Sequence, residues 1–298
     1  MGRVNSLHFF RNWRQKLRLF TCKVLTLIDV RWHRTGVKRT SLFTVNRASA
    51  LLRADLEPAH WLGSTDLLDL DDDKLRMLAN ALTQLTKNEH ERALAIFAYV
   101  KALLLAYRPR TRQDTPRQVL AARSGTTYGK STLFVALLRL AGIPARIRMV
   151  QLHGNLLQGL YGGRNVVNHP LVEVWLNSRW TRTDSHCFDA AYLEAARAAL
   201  SQQGWDRGYC IVGAANNGWN GHADAFCSLV LDNPEHMPLA DFGVYNDTQE
   251  FLTAFGETLR TPAEGLWRGV HYRIAATAMQ HGIKKLRGAG FTGQTATV

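Results

Sequence analysis

The sequence predicts an α+β domain in which one buried helix packs on an antiparallel sheet. Two observations carry this expectation. In residues 123–146, RSGTTYGKSTLFVALLRLAGIPAR, small and hydroxylated residues suit a helix N-cap near Thr126 or Thr127. Leu133, Phe134, Leu137 and Leu138 follow at helical spacing. Gly142 is placed to end that helix, Pro144 forbids its continuation, and Ile147 and Met149 then read as a strand. The second observation is a hairpin: residues 171–176 are strand-like, Asn177-Ser178-Arg179 supplies a turn, and residues 180–184 return as the partner strand.

Taken in order, residues 1–60 read as a basic helical extension. Phe9, Phe10, Trp13, Leu17 and Phe20 recur at helical spacing between Arg11, Arg14, Lys16 and Arg18. Such a helix suits a membrane surface or the flank of its own domain. Asp71, Asp72 and Asp73 precede Leu75 and Leu78, where a helix N-terminus favours negative charge, so they mark a helix start rather than a metal site. A long helix is expected over 90–107, with Ile96, Phe97, Val100, Leu103 and Leu104 on one face. Pro109 and Pro116 bracket a loop, and residues 118–123 read as helix on their Ala and Gln content. Past Ile147, Gly154, Gly159, Gly162 and Gly163 mark a loop leading to Asn168-His169-Pro170. Residues 226–232 look like a strand before Asn233-Pro234, residues 249–255 and 267–279 like closing helices, and 288–298 like a flexible tail. One domain is expected over 61–287, with no internal repeat.

A chain of 298 residues, 46% hydrophobic and 20% charged, is that of a folded protein, not a disordered one. Its net charge of +13 is concentrated: residues 1–40 hold ten Lys or Arg against Asp29 alone, which leaves +9. That excess fits contact with an anionic surface, but charge by itself specifies no nucleic acid, and none is predicted. Cys22, Cys187, Cys210 and Cys227 form no Cys-x-x-Cys pair and have no zinc-like spacing to histidine. Free thiols in a cytoplasmic protein are expected, with no metal and no cofactor. The apolar stretch 19–30 is short and broken by Lys23 and Asp29, and residues 7–10 are too few for the apolar part of a signal peptide.

Two chemistries compete for the start of the buried helix. Gly-Thr-Thr-Tyr-Gly-Lys-Ser-Thr is close to a phosphate-binding loop, which requires Gly-x-x-x-x-Gly-Lys-[Ser/Thr] after a buried strand. Its first glycine falls at Ser124, one residue before Gly125, and residues 118–123 make a poor strand. Nucleotide binding through Gly129-Lys130-Ser131 is therefore the alternative reading.

The other chemistry comes with a resemblance. Residues 137–146, LLRLAGIPAR, closely resemble the segment that follows the nucleophile in transglutaminase-like, papain-related enzymes. In that family a Gly-x-Cys loop precedes the helix, with the cysteine six residues before the leucine that matches Leu133. Here Gly125-Thr126-Thr127 puts Thr127 in its place. A second motif, a histidine early in one strand and an aspartate ending a Trp-led partner strand, is matched by His169 and Asp184. Residues 218–224 and 241–247 also resemble, less specifically, C-terminal segments of a bacterial subgroup. The resemblance spans roughly residues 75–250. It implies a transglutaminase-like, papain-like fold and an acyl-transfer or amide-hydrolysis site for a peptide, amide or acyl substrate. Thr127, His169 and Asp184 would take the catalytic roles, with Tyr128, Lys130 and Trp180 binding substrate. In the family a thiolate attacks the carbonyl, histidine donates to the leaving group, and aspartate holds the imidazole. A threonine hydroxyl is far less acidic, so His169 would have to serve as a true general base. An inactive, substrate-binding protein is the alternative. Cys187, just past Asp184 and on a different element from the helix start, is a poor substitute nucleophile.

Overall fold

Short polar caps set where the helices begin. The computed structural model describes residues 57–109, 114–257 and 262–291, so the expectations for residues 1–56 lie outside the described residues. The described residues all belong to one unit, Arg47–Val298. Helix α1 (Asp73–Thr83) starts at Asp72, whose carboxylate accepts from the N–H groups of Lys74 and Leu75. The acidic triplet is thus a helix start. Helix α2 (Glu89–Ala102) is capped by Asn88 and ends five residues before the expected limit of 107. Leu103 turns extended, Leu104 is 50% exposed, and Leu104–Leu105 forms a short strand, β1. The cause is distant in sequence: the ammonium of Lys130 donates to the carbonyls of Leu103 and Lys101, which closes the helix end.

Helix α3 (Pro116–Ala122) carries a capping box between Thr115 and Gln118 and stops at Arg123, which is left-handed at φ 50°. Strand β2 (Ser124–Gly125) then pairs parallel with β1, Leu105 opposite Gly125. It delivers the chain to Thr126, whose hydroxyl caps helix α4 (Thr127–Leu140) by accepting from Gly129 N–H. Every residue of α4 except Tyr128 and Leu140 is buried, so the helix is enclosed on all sides rather than on one face. Its apolar side chains contribute roughly 1.5–3 kcal/mol each. Four of its buried polar groups have partners: Ser131 on His186, Thr132 on Thr248 and the Tyr128 carbonyl, Lys130 on the Leu103 carbonyl and Arg139 on the Ala145 carbonyl. Gly142, at φ 76°, supplies the left-handed residue that ends it.

The four-stranded antiparallel sheet has the order Arg179–Thr183, Val166–Leu176, Ala145–His153, Ala240–Tyr245. Strand β3 (Ala145–His153) lies between β4 (Val166–Leu176) and β8 (Ala240–Tyr245), with Val150 opposite His169. Asn177 and Ser178, both at positive φ (53° and 60°), make the tight turn into β5 (Arg179–Thr183). Residues 226–232 form no strand, in contrast to the expectation. The N–H groups of Cys227 and Ser228 bond the Asp184 carboxylate instead of a neighbouring strand. Helix α5 (Ala190–Gln203), the small hairpin of β6 (Arg207–Gly208) and β7 (Ile211–Val212), and helices α6 (Thr248–Glu257) and α7 (Pro262–Phe291) complete the fold. Helix α7 runs through Gly288 to Phe291, so the expected loose tail does not begin at 288, and residues 292–298 lie outside the described residues. No helix among the described residues is long and apolar enough to cross a membrane.

Candidate active site

Helix α4 begins beneath the N-terminal half of β4. Thr127 is its first residue, so the N–H groups of Thr127 and Tyr128 have no acceptor inside the helix. The Tyr128 hydroxyl donates to the Asn168 carbonyl at 3.1 Å, tying the helix start to the residue before His169. His169 is 4% exposed, and its Nε2 lies 2.9 Å from Oδ2 of Asp184, which is fully buried. The Cys227 N–H reaches Asp184 Oδ1 at 2.6 Å, and the Ser228 N–H reaches Oδ2 at 3.1 Å.

These contacts decide the charge of the pair. Burial alone would raise the Asp184 pKa, but the hydrogen bond and charge of His169, followed by the two N–H groups, hold it below the ordinary carboxylate value. An ionised Asp184 therefore fixes a proton on Nε2 of His169 and leaves Nδ1 as the nitrogen able to accept one.

The structure brings His169 and Asp184 into direct contact and links Thr127 to them through Tyr128. Thr127 and His169 are not hydrogen-bonded to each other. Two of the expected substrate-binding residues lie elsewhere. Lys130 has no exposed surface, and its Nζ is 2.6 Å from the Leu103 carbonyl, so it lines no open cleft. Burial holds its pKa down to about 7. The same geometry counts against the nucleotide-binding alternative, because the ammonium points into the core and bonds the Leu103 carbonyl instead of facing a phosphate site. Trp180 pairs across the hairpin with Trp175, under the Arg146 guanidinium at 3.9 Å. Trp175 is six residues along β4 from His169, about 20 Å at the rise of a strand.

Sequence reasoning did not point to His186, named Ser131 only in the nucleotide-binding alternative, and set Cys187 apart from the helix start. Ser131, one turn after Thr127, bonds His186 Nε2 at 2.9 Å. Cys187 follows in the turn Ser185–Cys187, and its sulfur reaches the Thr127 carbonyl at 3.7 Å. Burial pushes the Cys187 thiol up to about 12, so it stays protonated and serves packing rather than attack. The spacing of Ser131 from Thr127 was the one signal available, since residues four apart share a helix face.

One group among the described residues has metal-like donors, Asp206, Glu235 and His236. The Arg207 guanidinium lies 3.2 Å from Asp206 and 3.5 Å from Glu235, and so fills the place a cation would take.

Residues 76–185 match the model of the transglutaminase-like superfamily, a range that begins inside α1 and ends just past Asp184. No curated protein matches. Among solved structures, a candidate cysteine protease from Cytophaga hutchinsonii is 21% identical at a TM-score of 0.36, over 46% of this chain and 43% of that one. A candidate protease from Parabacteroides distasonis is 20% identical at a TM-score of 0.30, over 39% of this chain and 25% of that one. The chain therefore spans less than half the length of either structure. The matched range runs from α1 through the buried helix α4 and strands β3 to β5, an arrangement of helices with an antiparallel sheet.

Proposed function

We propose, from the transglutaminase-like core at residues 76–185, that this chain handles a peptide, amide or acyl substrate at Thr127, His169 and Asp184. The observation that carries the proposal is the buried His169–Asp184 contact at 2.9 Å, with both carboxylate oxygens occupied. It gives an imidazole with a fixed tautomer beside the start of the enclosed helix. In this reading His169 Nδ1 takes the proton of the Thr127 hydroxyl as the oxygen attacks a carbonyl carbon. The protonated imidazole then delivers that proton to the leaving amine or alcohol. The resulting acyl-threonine passes its acyl group to water or to an amine. The free N–H groups of Thr127 and Tyr128 supply oxyanion stabilisation. Cytoplasmic location and a domain over 61–287 belong to the same reading.

A second reading, a pocket that binds such a substrate without turnover, is favoured by the hydroxyl where the family has a thiol. It is also favoured by Thr127 being only 4% exposed. Hydrolysis of a fluorogenic peptide-amide set and amine incorporation into a glutamine peptide test the first reading. Turnover lost on Thr127→Ala and His169→Ala supports it, and turnover retained in Thr127→Ala overturns it. Absent turnover in the native chain, together with iodoacetamide reactivity gained by Thr127→Cys, supports the second.

A further inference from the structure

We infer that Tyr128 is a positioning residue and not a substrate-binding one: its phenol clamps the start of α4 to the strand that carries His169. The inference rests on the roles proposed above for Thr127 and His169. Tyr128 follows Thr127 in α4, Asn168 precedes His169 in β4, and the Tyr128 hydroxyl donates to the Asn168 carbonyl at 3.1 Å. One hydrogen bond thus closes a bridge whose two ends are the immediate neighbours of the proposed nucleophile and base. The strand needs a tie at this point. Pairing between β4 and β5 runs from Leu176 only as far as Val172, opposite Thr183. Among the described residues, the segment around His169 pairs with β3 alone, with Asn168 opposite Gln151 and His169 opposite Val150. That register places His169 within the sheet but does not set its distance from the helix.

The chemistry of the clamp agrees with its geometry. A phenol has one proton to give, and here it goes to the Asn168 carbonyl, so only oxygen lone pairs are left for a substrate. Burial pushes the phenol above a tyrosine's ordinary value; Tyr272 adds to this and the Arg164 guanidinium opposes it. The proton therefore stays in place at neutral pH and the donor is always present. Its acceptor is a main-chain oxygen, so the bond acts on the backbone of β4 and is felt at His169 one residue on. Proton transfer from Thr127 to His169 needs their heavy atoms to come within about 2.6–3.2 Å, and the bridge limits how far the two elements can part.

The test places a titrating probe at the nucleophile position of the full-length chain. In Thr127→Cys, the pH profile of alkylation by iodoacetamide, read by mass spectrometry at residue 127, reports the thiol's own titration. A protonated imidazole beside it stabilises the thiolate, so adding His169→Ala is expected to move the midpoint up by about one pH unit. Adding Tyr128→Phe, which keeps the ring and removes the tie, is expected to move it up by about half a pH unit. Combined with His169→Ala, Tyr128→Phe is expected to add nothing, because its effect passes through the imidazole. A midpoint that responds to His169→Ala but not to Tyr128→Phe overturns the inference and leaves the proposed pairing standing. A Tyr128→Phe shift of equal size with and without His169 also overturns it, since the phenol would then act on residue 127 directly. A midpoint indifferent to His169→Ala sinks the pairing itself, and the positioning role with it. If Tyr128→Phe fails to fold, Tyr128→Met, which also lacks the hydroxyl, takes its place.

Discussion

Replacing Asp184 by alanine deletes an acceptor that three donors share in a dry interior. They are His169 Nε2 at 2.9 Å, Cys227 N–H at 2.6 Å and Ser228 N–H at 3.1 Å. Each buried donor left without a partner costs about 1–3 kcal/mol. Water entry into the space left by the carboxylate offsets part of this, so a loss of about 3–5 kcal/mol is expected. The pH dependence supplies an independent signature. Burial raises the Asp184 pKa, but His169 and the two N–H groups outweigh it and the net value is lowered. A carboxyl group whose folded value lies below its unfolded value contributes stability that is complete above about pH 4. That contribution is lost as the pH falls through the folded value. Urea unfolding followed by tryptophan fluorescence should therefore show a wide gap between wild type and Asp184→Ala near pH 6 that narrows towards pH 3 (both about). A gap under about 1 kcal/mol near pH 6, or one equally wide near pH 3, would refute the reasoning.

Three other outcomes follow from the packing around the site. Burial holds Lys130 at about 7, whereas an unfolded lysine titrates near 10.4, so between these values the unfolded chain binds the extra proton and stability rises with pH. Lys130→Met should remove a slope of about 1.4 kcal/mol per pH unit from unfolding measured between about pH 7 and 9, and an unaltered slope contradicts the assignment. Glu173 is buried between Arg146, at 2.6 Å, and Arg148, so Glu173→Ala removes the carboxylate the two share, leaving Arg148 its pair with Asp241 at 2.6 Å, and should cost about 3 kcal/mol in denaturant unfolding. Gly154→Ala would set a methyl carbon 1.9 Å from the Arg164 carbonyl oxygen, a backbone atom. A fall in melting temperature equivalent to about 2 kcal/mol or more is expected.

Local chemistry made part of this fold legible in the sequence. Asp72, Thr126 and Gly142 each act on residues within one helical turn, and Asn177-Ser178 closes its hairpin within two residues. His169 and Asp184 were legible for a different reason, the motif that spans the two strands carrying them. What escaped was written across long separations. Helix α2 ends at Ala102 because of Lys130, and residues 226–232 stay irregular because of Asp184. Trp180 misled because a motif fixes order along a strand but not distance from the site.

A hydroxyl at the mouth of α4 also changes what can harm this protein. Peroxides and electrophiles silence sulfur enzymes by capturing the exposed, ionised sulfur that does their work. Thr127 offers them only an alcohol, and Cys187, Cys210 and Cys227 are all buried. Burial keeps Cys187 and Cys210 at about 12 and lifts Cys227 well above its ordinary value. Among the described residues, then, no exposed or ionised thiol stands at the proposed site for an oxidant to capture.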